Sequence, residues 1–344
     1  MSSAPPGAAG AVLPAPGILA AVLTPFRRGT EDLDADVLRA EVDWVVGHGA
    51  GAVVVAGVET QEYQVFDGKR RQELVDRTLQ AVEGRCPTIV GVTHPSPRQA
   101  RQLAAAAARG GASAVMTLVG LKPWGAPPTH AEVVAQVAGA ADASGLPVVV
   151  YCNPRMGVDL PVEAMVALAG RPEVCAFKET SRDIGKIGRL LAEIDRAGSA
   201  RVYTTMEALL TTLLMGGPGA MMPPPAVAVG AAIVDAVTAG DVGRAADLQR
   251  VFSAFPGPWM HLGLTPVMKA AMAAVGLDLG APLAPYRELD PGDVAAMTAV
   301  LAAAGLLPAQ ARTGGPPDLG DGEAEVPDAT LGVGPLADGG GACP

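Results

Sequence analysis

The sequence predicts a parallel (β/α)8 TIM barrel followed by a C-terminal helical extension. Eight short aliphatic runs alternate with eight longer amphipathic ones between residues 17 and 240, and that count suits a closed barrel better than an open sheet. The aliphatic runs are continuously apolar, as parallel strands are when helices cover them. Three more helical stretches follow residue 240, which is more than a barrel needs.

Residues 1–16 are rich in Ala, Pro and Gly and read as a flexible N-terminal segment. Strand one is expected over Ile18–Leu23, ending at Thr24-Pro25-Phe26. A helix capped by Asp34 then runs through Trp44 and Val46. The next strand–helix pairs are Ala52–Ala56 with Arg71–Val82, Thr88–Val92 with Pro97–Arg109, and Ala114–Leu118 with Thr129–Ala143. Val148–Tyr151 is strand five, and its helix, Pro161–Ala169, carries proline in the first turn. Val174–Phe177 leads to a helix over Asp183–Ala197, and Arg201–Thr205 to one around Glu207–Met215. Ala220–Met222 and Ala226–Ala239 complete the barrel at residue 240. The extension, 241–307, contains helical patterns at Val242–Phe252, Thr265–Val275 and Pro291–Ala304. From 308 to 344 the chain turns to Gly, Pro, Asp and Ala, the composition of a disordered tail.

Composition narrows the function. The chain has 344 residues, 49% hydrophobic and 17% charged, enough apolar content for a sizeable core. A net charge of −10 without any basic run argues against nucleic acid and anionic membrane surfaces as partners. Cys86, Cys152, Cys175 and Cys343 lack CxxC spacing, so they read as reduced thiols rather than a disulfide framework. The opening stretch has no basic n-region before an apolar core, and no apolar run is long enough to span a bilayer. A soluble cytoplasmic protein is expected.

Lys178 is the residue around which the chemistry gathers. It is one of five lysines, with Lys69, Lys122, Lys186 and Lys269, and it directly follows the apolar run Val174–Phe177. An ammonium beside an apolar strand loses hydration, which lowers its pKa and frees a nucleophilic amine that can condense with a ketone. In a barrel the active site lies at the C-terminal strand ends. Strand two ends in Gly57-Val58-Glu59-Thr60-Gln61-Glu62, strand three in Thr93-His94, and strand five in Tyr151 with Asn153 and Arg155 beyond it. An amine, a phenol, hydroxyl and amide donors, and a guanidinium therefore converge on one mouth. That set suits imine chemistry on a 2-oxo acid, with the phenol moving protons and Arg or the Thr-bearing turn holding a carboxylate. His94, following strand three, is expected to reach the pocket rim. His48, His130 and His261 have no ligand spacing, so no metal site is indicated. Gly47, Gly49 and Gly51 precede a strand instead of following one and so fail the dinucleotide fingerprint.

Leu23-Thr24-Pro25-Phe26, Tyr151-Cys152-Asn153-Pro154-Arg155-Met156-Gly157 and Phe177-Lys178-Glu179-Thr180 resemble the dihydrodipicolinate synthase and N-acetylneuraminate lyase family of class I aldolases. The resemblance spans about residues 17–305. It implies that Lys178 forms the imine, that Tyr151 transfers protons, and that Arg155 meets the carboxylate of a second substrate. It also implies a cofactor-independent lyase and a homo-oligomer, tetramer or dimer.

The chain departs from the family pattern at three places. The family's Gly-Thr-Thr-Gly-Glu loop appears as Gly57–Glu62, one residue longer. Anchored on Glu62, Thr60 takes the carboxylate-binding place and Glu59 replaces a relay threonine; anchored on Gly57, these assignments shift by one. A carboxylate at the relay would act as a base or pair with a cationic substrate group. The paired tyrosines after strand four are replaced by Leu118-Val119-Gly120-Leu121-Lys122-Pro123-Trp124, and Cys152 stands where the phenol is usually followed by asparagine.

The expectation is thus a lyase in which Lys178, Tyr151 and Glu59 are catalytic while Thr60, Gln61, Arg155, Asn153 and His94 bind substrate. The substrates would be pyruvate or a related 2-oxo acid and an aldehyde or imine partner. The changes at the relay point away from the lysine-biosynthesis synthase. A dehydratase or hydratase-aldolase would use the same imine, and a non-catalytic keto-acid-binding barrel is the reading from another class.

Overall fold

The computed structural model describes Leu13 and residues 16–62, 66–120 and 126–307. The N-terminal segment up to residue 12, the tail from 308, and residues 121–125 in the stretch after strand four lie outside them.

Eight parallel strands form the barrel: β1 (Gly17–Ala21), β2 (Ala50–Val55), β3 (Thr88–Gly91), β4 (Ala114–Leu118), β5 (Val148–Cys152), β6 (Val174–Glu179), β7 (Arg201–Tyr203) and β8 (Gly219–Met222). Hydrogen-bonded neighbours run β7-β6-β5-β4-β3-β2-β1-β8. The ring closes through one parallel bridge, Thr204 with Ala220. There Thr204 N donates to Gly219 O at 3.1 Å, and Met221 N donates to Thr204 O at 3.0 Å. Strand β7 is shorter than its sequence run because Thr204 forms only the isolated closing bridge and Thr205 lies beyond it. Gly219 permits the closure. Its φ is +136°, and a Cβ there would lie 2.0 Å from Gly17 O, so only glycine lets β8 start against β1.

Each strand is followed by a helix. These are α1 (Ala35–Gly47), α2 (Gly68–Val82), α3 (Pro97–Arg109), α4 (His130–Ser144), α5 (Val162–Ala169), α6 (Ile184–Leu190), α7 (Leu209–Leu214) and α8 (Val227–Thr238). Side chains cap the helix starts, at Asp34 as the sequence suggests and at two further helices. Asp34 accepts from Asp36 N and Val37 N, Ser96 accepts from Gln99 N, and Thr129 and Glu132 form a capping box. The Asp183–Ala197 run is helical with one change of pitch, passing into a π turn over Leu191–Asp195.

The extension contains α9 (Val242–Gln249), α10 (Val251–Ala254), α11 (Leu264–Ala274) and α12 (Pro291–Ala303). The single helix expected over Val242–Phe252 is divided at Arg250, and the chain leaves helical geometry at Phe255 before Pro256, since proline disfavours a helical residue before it. Helices α11 and α12 have their own apolar core of Val267, Met268, Ala271, Met272, Met297 and Leu301, into which Leu23 from the end of β1 also packs. No described helix is long and apolar enough to cross a membrane.

Leu23 is held by a buried carboxylate: its N–H donates to Glu41 Oε1 at 2.8 Å, from α1. Burial outweighs this bond and the nearby Lys269 charge, pushing Glu41 up to about 8, so Glu41 carries a proton at neutral pH. A raised folded-state pKa gives stability that is fully present below the ordinary carboxyl range and is lost as pH rises through about 8. Glu41→Gln keeps the acceptor for Leu23 and has no charge to bury. The variant is expected to match wild type near pH 5 and to melt several degrees higher near pH 9, a gap on the order of a few kcal/mol. Thermal melts across that range check it.

Candidate active site

Tyr151 and Lys178 are register partners on adjacent parallel strands, so their side chains leave the sheet on the same side. The Lys178 ammonium lies 4.0 Å from the centre of the Tyr151 ring. Its side chain is only 9% exposed. Burial lowers its pKa, and the nearby Glu59 carboxylate opposes part of that fall.

Glu59 joins the group from the loop after β2. One oxygen, Oε2, accepts from the Tyr151 hydroxyl and lies 3.5 Å from Lys178 Nζ. The other, Oε1, accepts from Asn153 Nδ2 at 2.8 Å. Asn153 Nδ2 also reaches the Tyr151 oxygen at 2.9 Å, and its Oδ1 accepts from Arg155 N at 3.0 Å, which fixes the direction of the amide. Burial alone would raise the Glu59 pKa. The Lys178 charge and the hydrogen bonds from Tyr151 and Asn153 outweigh it, so Glu59 is held below the usual carboxylate range. The arrangement gives the phenol an anionic acceptor and the amine a counter-charge on the same oxygen.

Lys178, Glu59 and Asn153 line a cavity of about 80 Å3 together with Thr60 and Arg155, and Tyr151 lies behind them, fully buried. That volume holds roughly three waters at about 30 Å3 each, or a compact acid of a few heavy atoms. Thr60 is 4% exposed, and its hydroxyl has no partner among the described residues, so a buried donor stands ready for a ligand oxygen. Arg155 is exposed at the mouth.

Two residues expected to bind substrate are placed elsewhere. Gln61 Oε1 accepts from Ala56 N, while its Nε2 donates to Leu23 O at 2.8 Å. Both ends of the amide are engaged by backbone, so Gln61 is a strut of the loop. His94 lines a separate cavity with Arg71 and Met156, and its Nδ1 accepts from Ser96 N at 2.9 Å. Cys152 and Cys175 are free cysteines whose thiols are pushed up by burial, which leaves them unreactive. No cluster with metal-ligand composition occurs among the described residues.

Three further polar residues of the cavity are not singled out by the sequence. These are Thr205, Glu207 and Arg182, and Arg182 Nη2 donates to Glu207 Oε1 at 2.6 Å. Thr205 Oγ1 and Glu207 Oε2 are buried without partners among the described residues. The strand-end rule that selected Tyr151 and Lys178 applies equally to strand seven, which the sequence places over Arg201–Thr205. Arg182 is less legible because its left-handed backbone, φ +63°, leaves no sequence mark in an arginine.

A family model for the dihydrodipicolinate synthetase family matches residues 14–304. The chain belongs to that family. Among its relatives, 4-hydroxy-tetrahydrodipicolinate synthase 1 of Streptomyces coelicolor is 32% identical over 298 residues, covering 85% of this chain and 94% of the relative. The 4-hydroxy-tetrahydrodipicolinate synthase of Exiguobacterium sibiricum is 30% identical over 273 residues, 77% of this chain and 89% of its own. YagE of E. coli, a family member solved in complex with pyruvate, superposes with a TM-score of 0.78 at 23% identity, covering 84% of this chain and 98% of its own. The dihydrodipicolinate synthase of Thermotoga maritima superposes at 0.76 with 24% identity, covering 85% and 99%. These two likenesses show the shared fold. Membership of a family of aldolase-type lyases makes this chain an enzyme of that general kind.

Proposed function

We propose that the protein is a class I aldolase that forms an imine between Lys178 and pyruvate or a related 2-oxo acid. The observation that carries this reading is the shared carboxylate oxygen: Glu59 Oε2 accepts from the Tyr151 phenol and faces the buried Lys178 amine. The pyruvate in the YagE complex supports the substrate class.

The neutral Lys178 nitrogen attacks C2 of the keto acid and gives a carbinolamine. Tyr151 passes a proton to the departing oxygen, water leaves, and the C2–N bond becomes an iminium. Loss of a C3 proton moves its electron pair into an enamine, whose C3 then attacks the carbonyl carbon of the partner. Hydrolysis releases the product and restores the amine. Through these steps Glu59 orients the phenol and takes or returns its proton. The Thr60 hydroxyl donates to the substrate carboxylate, and Arg155, at the mouth, meets the incoming partner.

The enamine can be tested without knowing the partner. In D2O the enzyme is expected to exchange the methyl hydrogens of pyruvate for deuterium, followed by NMR; no exchange above the buffer rate would sink the proposal. Glu59→Gln gives a second test. The carboxylate holds the Lys178 pKa up, so its removal frees the amine at lower pH. The pH of half-maximal exchange is expected to move down, and the maximal rate to fall by roughly 10–100-fold as the phenol loses its anionic acceptor. A profile that stays in place or moves up contradicts the assigned pairing.

The names of the curated relatives favour a second reading, in which the partner is that of 4-hydroxy-tetrahydrodipicolinate synthase. Against it stands Glu59, a carboxylate that takes the place of a relay threonine when the loop is matched from Glu62. Assaying for the product in those names separates the two readings.

A further inference from the structure

The loop that carries Glu59 and Thr60 begins in a strained turn and ends in a buried ion pair. Ala56 has φ +56°, a left-handed conformation that a non-glycine residue keeps only where its surroundings impose it. Its carbonyl passes over Gly91, where a Cβ would lie 2.0 Å from it. The Gln61 amide spans the base of the loop from Ala56 N to Leu23 O. One residue on, Glu62 Oε1 lies 3.3 Å from Lys269 Nζ, with side chains only 0% and 3% exposed. Lys269 belongs to α11, outside the barrel. Its ammonium also donates to Ala281 O at 3.0 Å and sits 4.3 Å from the centre of the Phe26 ring. A second tie leaves the same helix one turn earlier, where Thr265 Oγ1 donates to Glu59 O at 3.2 Å.

We propose that Lys269 and Thr265 of α11 are positioning residues for the substrate-carboxylate site, holding Glu59 and Thr60 in register with Lys178 through Glu62 and the Glu59 carbonyl. The C-terminal extension then serves as the back support of the active site. The inference rests on the imine reading above for what the loop binds, though the anchoring itself does not depend on it. A buried ammonium with three fixed neighbours cannot follow a shifted carboxylate without losing them, so it defines one position for Glu62. Thr60 lies two residues from that fixed point, and its hydroxyl, unpartnered among the described residues, is useful only if the loop stays where it is. Displacements of about 1 Å at such groups cost on the order of 100-fold in rate or binding.

The test compares wild type with Thr265→Val, Thr265→Ser and the paired, charge-neutral Glu62→Gln/Lys269→Met. Pyruvate exchange in D2O gives the half-saturating pyruvate concentration and the rate at saturation, and melting curves give the folded fraction. Thr265→Val and the paired variant are expected to raise half-saturation at least about tenfold while remaining folded, and Thr265→Ser, which keeps the hydroxyl, to return it towards wild type. Wild-type half-saturation in folded variants would overturn the proposal, as would a loss of rate that only follows the folded fraction. Amide hydrogen exchange of residues 57–62 keeps the test independent of chemistry. Faster exchange confined to that loop in both variants supports the anchor even if wild type fails to turn over pyruvate, and unchanged exchange there refutes it.

Discussion

Lys178→Met is expected to reduce pyruvate methyl exchange to the buffer rate, a loss of at least about four orders of magnitude. Methionine fills most of the same volume at the end of β6, so the Val174–Phe177 strand and its pairing with β5 have no reason to change. What disappears is the nucleophile. Glu59 then loses one of the groups that hold its pKa down, so its pKa rises, while the hydrogen bonds from Tyr151 and Asn153 still satisfy its oxygens. The fold should therefore survive, and melting curves beside the exchange assay check this. Exchange that persists in a folded variant would mean that a general base, not an imine, labilises the methyl group.

Tyr151→Phe has the second largest expected effect, a drop of roughly 100- to 10,000-fold in exchange rate. The phenol is completely buried, and its oxygen donates to Glu59 and accepts from Asn153. Removing that one atom leaves a carboxylate oxygen and an amide N–H short of a partner, which costs about 1–3 kcal/mol of stability. The Lys178 amine keeps its place and its neighbour Glu59. The variant should therefore still form the imine on long incubation, but slowly, because no group carries the proton to the departing water. Loss of rate with retention of the eventual adduct separates proton transfer from nucleophilic attack; an unchanged rate would assign the proton to another group.

Much of this architecture is legible in the residue pattern. Continuously apolar strands separated by capped amphipathic helices specify a covered parallel sheet, and the strand-end rule brings Tyr151, Asn153 and Lys178 together because adjacent parallel strands keep register. Glu59 is legible only by comparison, since a carboxylate in a loop gives no sign of what its oxygens touch. Gln61 shows the limit of listing polar residues at a strand end. A buried amide can serve the backbone as readily as a ligand, and here the strained Ala56 turn consumes one end of it. Thr265 lies further beyond reach. Its bond to Glu59 joins residues 206 positions apart, and no periodicity or motif spacing connects a threonine at the start of α11 to a loop after β2.

Borohydride reduction in the presence of pyruvate, followed by peptide mapping, tests the assignment of the nucleophile most directly. A stable adduct is expected on the peptide containing Lys178 and none on those containing Lys69, Lys122, Lys186 or Lys269. An absent adduct, or one on another lysine, would contradict it.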